Sequence, residues 1–392
     1  MSATDTPSPG SPNPATEPAP GTDPGPGPTD ALAPTLASAS VILVAGPGGV
    51  GKTTLAASLA TVAARHHDRR VLLVTVDPAR RLANALGVSH LQAEPVLVPV
   101  GDGPGRLFAL MVDMSAGWDD LVGRFSANDE ERDLLLANPL YRSLTTRFVQ
   151  SHDYIALDNL CTMSDEERYD LVVVDTPPSN HAIDILDAPD KLVDFFDSRL
   201  LRWLTAPYRS RLAATGAKPF LAVAERLLGG QFLARIGEFF WLFSKLQPGI
   251  VARAAEVNER LDHPDTRFVL VTTAEPGPRQ QTADLLDALV ERDKAPSLLV
   301  HNRACPVAAD VDLDRALATV EDPDLRAAMA ALDLGATEIE QWWADHGPDD
   351  AAVVAVPWQA EAIMSVDGLA SLVDGTVGAA AAEPREDQPW PC

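Results

Sequence analysis

Lysine, cysteine and long apolar runs are all scarce in this chain, and each shortage argues against a class of function. The 392 residues carry 31 Lys and Arg against 56 Asp and Glu, a net charge of −25. Lys52 is the first lysine, and the next is Lys191. So acidic a chain is a poor partner for nucleic acid or for an anionic membrane surface. The three cysteines, Cys161, Cys305 and Cys392, lie far apart and form no C-x-x-C pair. That pattern argues against a disulfide framework and a cysteine zinc site, and makes the reducing cytoplasm the expected compartment. No basic, apolar leader opens the chain. No apolar stretch reaches the ~20 residues of a membrane-spanning helix, so no integral membrane segment is expected. At 46% hydrophobic, the chain still has the apolar mass for a large core.

Glycine, by contrast, is concentrated where it matters most. Gly46-Pro47-Gly48-Gly49-Val50-Gly51-Lys52-Thr53-Thr54 matches the phosphate-binding pattern G-x-x-x-x-G-K-[ST]. A strand-like run, Val41–Ala45, leads in, and a helix-like run from Leu55 leads out. Glycines let the backbone curl until its N–H groups face a phosphate at the positive end of a helix. Lys52 adds a point charge for the β- and γ-phosphates, and Thr53 offers a hydroxyl to Mg²⁺.

Further strand-like runs are Val71–Val76, Leu107–Met111, Leu171–Val174, Phe268–Thr272, Leu298–His301 and Val353–Val356. Most are continuous rather than alternating, the pattern of parallel strands covered on both faces. Helix-like segments separate several of them. The expected fold is therefore α/β, a mostly parallel P-loop sheet flanked by helices. Residues 1–38, rich in Pro, Gly, Ser and Thr, read as a disordered tail, and 379–392 as a flexible C-terminal tail. The ATPase-type domain is expected over 39–378. Within about 115–261 the strand rhythm breaks, and a helical subdomain is expected there. In it Phe232, Ile236, Phe239, Phe240, Phe243 and Leu246 share one helical face. That face is either the core of the subdomain or a groove for an apolar partner helix.

Two acids end apolar strands, where ligands of open α/β sheets bind. Asp77 follows Val71–Val76 and is placed to orient or deprotonate water, to lie near Mg²⁺, or simply to cap the next helix. Arg80 and Arg81 follow closely enough for one to reach a phosphate. Asp175 ends Leu171–Val174 and is the expected partner of Mg²⁺. The segment Thr176–Ala182, with His181, reads as a switch that senses the γ-phosphate. Asn302 ends Leu298–His301, and its amide can read an adenine edge or cap a turn.

These elements, in this order, resemble the arsenical pump-driving and tail-anchored-protein-targeting (anion-transporting) ATPases. Those are deviant P-loop ATPases that work as nucleotide-sandwich dimers. The resemblance runs from about Val41 to Leu372. It implies ATP and Mg²⁺ as ligands, Lys52 and Asp77 in catalysis, and Thr53 and Asp175 at the metal. It implies that Gly46, Gly48, Gly49, Val50, Gly51, Lys52, Thr53 and Thr54 hold phosphate. Thr272-Thr273-Ala274-Glu275-Pro276 is similar to a strand-end element whose Glu, here Glu275, lies at the nucleotide. Asn302 and Pro357 correspond to the groups around the adenine. The helical segment implies a hydrophobic protein client or a partner subunit.

The departures are specific. The family's loop begins G-K-G-G, and its lysine crosses to the partner's phosphates, whereas this chain has Pro47. Weak hydrolysis by the chain alone is therefore expected, with a homodimer needing Arg80, Arg81 or another Arg instead, or a heterodimer with a lysine-bearing paralogue. In the second case this chain would be a regulatory subunit. Clustered metalloid-binding cysteines and the interfacial C-x-x-C are both absent. A septum- or partition-type positioning ATPase is disfavoured by the acidic charge and the lack of a basic amphipathic helix at the C-terminus.

Overall fold

The computed structural model describes residues 28–77, 81–101, 103–142, 149–165, 168–177, 179–199, 201–202, 205, 230–304, 313–346, 348, 351–359, 362–374 and 377–379. Nine strands form one sheet: β1 (Val41–Ala45), β2 (Arg70–Thr75), β3 (Val96–Val98), β4 (Arg106–Met111), β5 (Leu171–Asp175), β6 (Thr266–Thr272), β7 (Leu298–Ala304), β8 (Ala352–Pro357) and β9 (Val377–Ala379). Their order is β3-β4-β2-β5-β1-β6-β7-β8-β9. The seven inner strands run parallel, and β3 and β9 close the edges antiparallel. All seven strands expected from the apolar runs are present. The two edge strands are three residues each, too short to leave a periodic signal.

The helices are α1 (Pro28–Ser38), α2 (Lys52–His66), α3 (Arg81–Ala85), α4 (Met114–Phe125), α5 (Asp129–Leu136), α6 (Val149–Asp165), α7 (Ser179–Leu186), α8 (Ala188–Asp197), α9 (Gly230–Ser244), α10 (Gln247–Asp262), α11 (Pro276–Val290), α12 (Leu313–Ala318), α13 (Pro323–His346) and α14 (Val366–Asp374). They divide between the two faces of the sheet. On one face Ile42, Val44, Val71, Leu73 and Val173 pack against α1, α2 and α14. On the other, Leu43, Leu72, Val74, Val172 and Val174 pack against α4, α6, α9, α10 and α11. Alternate residues of each central strand point to opposite cores, and both cores are buried, which is why the strands read as unbroken apolar runs.

The boundary of the N-terminal tail is corrected. Residues 28–38, expected as disordered, form α1, with Leu32 and Leu36 fully buried against the sheet. Two leucines spaced i, i+4 bury one stripe of a helix even where the surrounding composition is poor in apolar residues. The guanidinium of Arg69 donates to the Leu36 carbonyl at 2.7 Å and so satisfies the end of that helix.

The aromatic face of α9 is core. Phe239 is fully buried, Phe243 and Leu246 are buried, and Ile236 and Phe240 are half-buried. Phe243 stacks on Phe196 and Phe239, with centroids 5.3 and 5.7 Å apart. The side chain of Phe232 lies outside the described residues.

Candidate active site

The site is built on the β1–α2 turn. Gly46 leaves β1 buried against the neighbouring strand, and a Cβ there would lie 2.2 Å from the Val271 carbonyl oxygen. Gly51 caps α2 with φ 100°, and its Cβ would strike the Asn302 amide nitrogen at 2.2 Å. Only glycine fits either place, so the loop can approach β6 and β7 closely. No side chain caps the first turn of α2. Its free N–H groups are therefore a ready anion site.

Lys52, the first residue of α2, is buried and donates to the carbonyls of Gly46 at 2.9 Å and Pro47 at 2.7 Å. Burial lowers its pKa below the usual lysine range; Asp175 and Asp77 oppose that shift and Arg81 adds to it. Pro47 itself is buried, whereas Gly48 and Gly49 at the loop tip are exposed.

Asp175 is the hub. Its Oδ2 accepts from the hydroxyls of Thr53 at 2.8 Å and Thr75 at 3.1 Å. Its Oδ1 is buried with no hydrogen-bond partner among the described residues. Desolvation raises its pKa to about 6, against the pull of both hydroxyls and Lys52. A buried carboxylate oxygen left unpaired beside a threonine hydroxyl is the donor set of a hard cation, so the residues present fit Mg²⁺. The Thr75 hydroxyl also accepts the backbone N–H of Asp77 at 3.2 Å. Thr75 thus links the two strand-end acids. Sequence reasoning missed it, although a lone Thr within the apolar run Val71–Val76 was the available signal.

Asp77 is half-buried, and its Oδ2 lies 3.7 Å from the largely exposed Arg81. Pro78–Arg80 and Pro178 lie outside the described residues, as do the side chains of Ser179–Ala182, including His181. The backbone continues from Asp175 through Thr176, whose hydroxyl donates to the Val44 carbonyl at 2.8 Å, into α7.

At the other end of the loop, Asn302 donates its amide N–H to the Val50 carbonyl at 2.7 Å. Arg303 donates to the Gly49 carbonyl at 2.9 Å. The β7–β8 pairing slips between Asn302 and Ala304, and Arg303 sits in the resulting bulge with φ 60°. A left-handed backbone costs a non-glycine residue on the order of 1–2 kcal/mol. Pro357 ends β8 opposite Ala304, and the exposed Trp358 follows it. Glu275 caps α11, accepts from the Thr273 hydroxyl, and perturbs the buried His301. Glu275 and Pro357 have no described contact with the loop. Thr54 is half-buried in the first turn of α2. Among the described residues, the site residues selected from the sequence lie on the loop or at or just after the C-terminal ends of β2, β5, β6, β7 and β8.

Cys161 is buried in α6, and burial pushes its thiol up to about 12, a poor metal ligand. Cys305 and Cys392 lie outside the described residues. No helix among the described residues is long and apolar enough to cross a membrane.

A parallel sheet with a glycine-rich loop after its central strand, a lysine opening the following helix, and acids at two neighbouring strand ends define a P-loop nucleotide hydrolase. Residues 39–215 match the model of the anion-transporting ATPase family. The chain is similar to the "ATPase ASNA1 homolog" of Entamoeba histolytica, at 26% identity over 278 residues, 68% of this chain and 76% of that protein. It is also similar to "ATPase ASNA1 homolog 2" of Paramecium tetraurelia, at 29% identity over 38% of this chain and 44% of that protein. An uncharacterised Streptomyces coelicolor protein matches at 35% identity over 46% of this chain and 43% of its own length. Over residues 39–215 the chain is thus similar to the anion-transporting ATPases, and that similarity, with the relatives named as ATPases, supports ATPase activity.

Proposed function

We propose that this ATPase is a cytoplasmic, dimeric switch in which ATP and Mg²⁺ bound at the loop control the helical layer that engages a protein client or partner subunit. The observation that carries this reading is the bonding of Asp175. One buried acid is tied to the loop through Thr53 and, through Thr75, to the backbone of Asp77. Lys52 and the loop N–H groups hold the phosphates, and Thr53 and Asp175 hold Mg²⁺. The metal, when bound, neutralises charge on the phosphates. Asp77, half-buried at the mouth, orients the attacking water. Asn302 and Pro357 lie at the base, and Glu275 lies at the nucleotide. Beyond the acid, the chain runs directly into α7, which packs against α6 and α11. Helix α11 in turn begins next to Glu275. The Arg292 fork on Asp187, at 2.8 and 3.2 Å, ties the segment just after α11 to the α7–α8 corner. A change at either strand end therefore has a rigid path into the helices.

Pro47 favours a second form of the same reading, a catalytically weak subunit served by a lysine-bearing paralogue. The exposed Arg81 is the described cation nearest to Asp77, and it is the candidate to replace the missing lysine in a homodimer.

The test is ATP hydrolysis by the purified chain, alone and mixed with such a paralogue, with light scattering to follow dimerisation. Turnover and ATP-driven dimerisation alone, lost in Arg81→Ala, support the autonomous switch. Binding without turnover, rescued by the paralogue, supports the asymmetric pair. In either case Asp77→Asn spares binding and cuts turnover roughly 10²-fold or more. Unchanged turnover in Asp77→Asn overturns its role.

A further inference from the structure

We infer that Arg303 is a positioning residue for the phosphate cradle, holding the tip of the loop so that its N–H groups face inward. The inference rests on the loop being the phosphate site.

Two consecutive residues of β7 donate to two consecutive carbonyls of the loop, Arg303 to Gly49 and Asn302 to Val50. A peptide unit is planar and trans, so its C=O and the next residue's N–H point in opposite directions. Holding the Gly49 and Val50 carbonyls toward β7 turns the N–H groups of Val50 and Gly51 the other way, away from β7. In a loop that curls around an anion, that is the concave side. Free peptide units of a glycine-rich loop rotate easily, and Gly48 and Gly49 at the tip are exposed. Without the two clamps the N–H array would have to be ordered by the phosphates themselves, at a cost in affinity.

The backbone supports a functional rather than a stabilising role for Arg303. It occupies a β-bulge with φ 60°, where glycine is the easier residue. Bulges beside active sites commonly re-aim one side chain. The Arg303 bond is exposed, so it adds little to folding. Stability alone would favour glycine at this position, yet only a long donor there reaches the Gly49 carbonyl.

The test is calorimetric binding of Mg²⁺–ATP and of Mg²⁺–tripolyphosphate, which has no base, to the full chain and to R303G, R303K and K52A. R303G is expected to weaken both ligands alike, by about tenfold, the value of one charged hydrogen bond. Its melting temperature should be unchanged or higher, because the strained position gains its natural residue. R303K, which keeps one donor, should recover part of the affinity. R303G that binds both ligands like wild type overturns the inference. So does a loss confined to ATP, which would make Arg303 a base contact. If R303G melts early, the affinity of its folded fraction decides: a fall for both ligands beyond the loss of folded protein, partly recovered in R303K, supports the clamp, and a fall matching the folded fraction overturns it. Tripolyphosphate binding that is the same in wild type and K52A removes the cradle itself. Binding lost in K52A but intact in R303G removes only the role of Arg303.

Discussion

The two faces of the sheet are built from different materials. On the α2 face the described core holds no aromatic side chain, and beside Leu55, Leu59 and Val62 helix α2 buries Ala56, Ala57, Ala60, Ala63 and Ala64 together with Ser58 and Thr61. Small side chains let α2 sit close to the strands, and the loop at its start lies against the Val271 carbonyl of β6 and the Asn302 and Arg303 side chains of β7. On the opposite face the core is large and aromatic, with Trp118, Tyr154, Phe196, Phe239 and Phe243. It also contains buried charge. Asp158, 1% exposed, accepts from Arg253 at 2.7 Å and from Arg124, joining α4, α6 and α10. The difference teaches a division of labour. Phosphate chemistry needs a loop held to fractions of an ångström, and small residues supply that rigidity. The layer proposed above to answer a partner is joined instead by aromatic contacts and the Asp158 ion cluster.

The comparison breaks most visibly at Phe239. Phe239→Ala should lower stability by about 3–5 kcal/mol, from lost burial and the cavity left behind. ATP affinity of the folded fraction should change little, because no phosphate group depends on that face. Urea denaturation beside nucleotide binding checks both halves, and a comparable fall in affinity would mean the two faces are not separable.

Next in size is Asp158→Ala. It removes the carboxylate that Arg124 and Arg253 share, while Arg124 keeps Asp120 and Arg253 keeps Glu256 and Thr162, at a cost of about 1.5–3 kcal/mol. Asp158→Asn keeps the shape and the acceptor oxygen and should recover part of the loss. If Asp158→Ala melts like wild type, the cluster contributes nothing to joining the three helices.

The smallest expected effect sharpens the comparison at its boundary. His301 lies on the aromatic face of β7, buried beside Glu275, and burial lowers its pKa below the ordinary 6.5, with Glu275 opposing. The folded protein therefore binds this proton less readily than the unfolded chain. The stability contributed by neutral His301 is present above pH 6.5 and is lost as the pH falls through that value toward the folded pKa. His301→Gln has no such loss. The gap in melting temperature between wild type and His301→Gln should narrow or reverse between pH 7.5 and 5, and a constant gap would show that His301 does not titrate differently in the two states.

Much of this was legible in the residues themselves. Seven parallel strands announce themselves because a strand covered on both faces must be apolar throughout. The loop announces itself because phosphate chemistry needs glycine, lysine and threonine at fixed spacing. Asp77 and Asp175 stand out as acids at the ends of such strands. Helix α1 was hidden because composition averages over a window, while burial depends on where Leu32 and Leu36 fall. Thr75 was hidden because a hydroxyl inside a strand is silent until its partners are known.

The sequence by itself determined the sheet, the phosphate loop and the acids that face it, since each follows from local pattern and spacing. Only the tertiary structure decided which carbonyls Asn302 and Arg303 hold, that one oxygen of Asp175 has no partner among the described residues, and that the aromatic face of α9 is core. The first two depend on residues more than 100 positions apart meeting at one end of a sheet, and strand order, which brings them together, is not written in any local pattern.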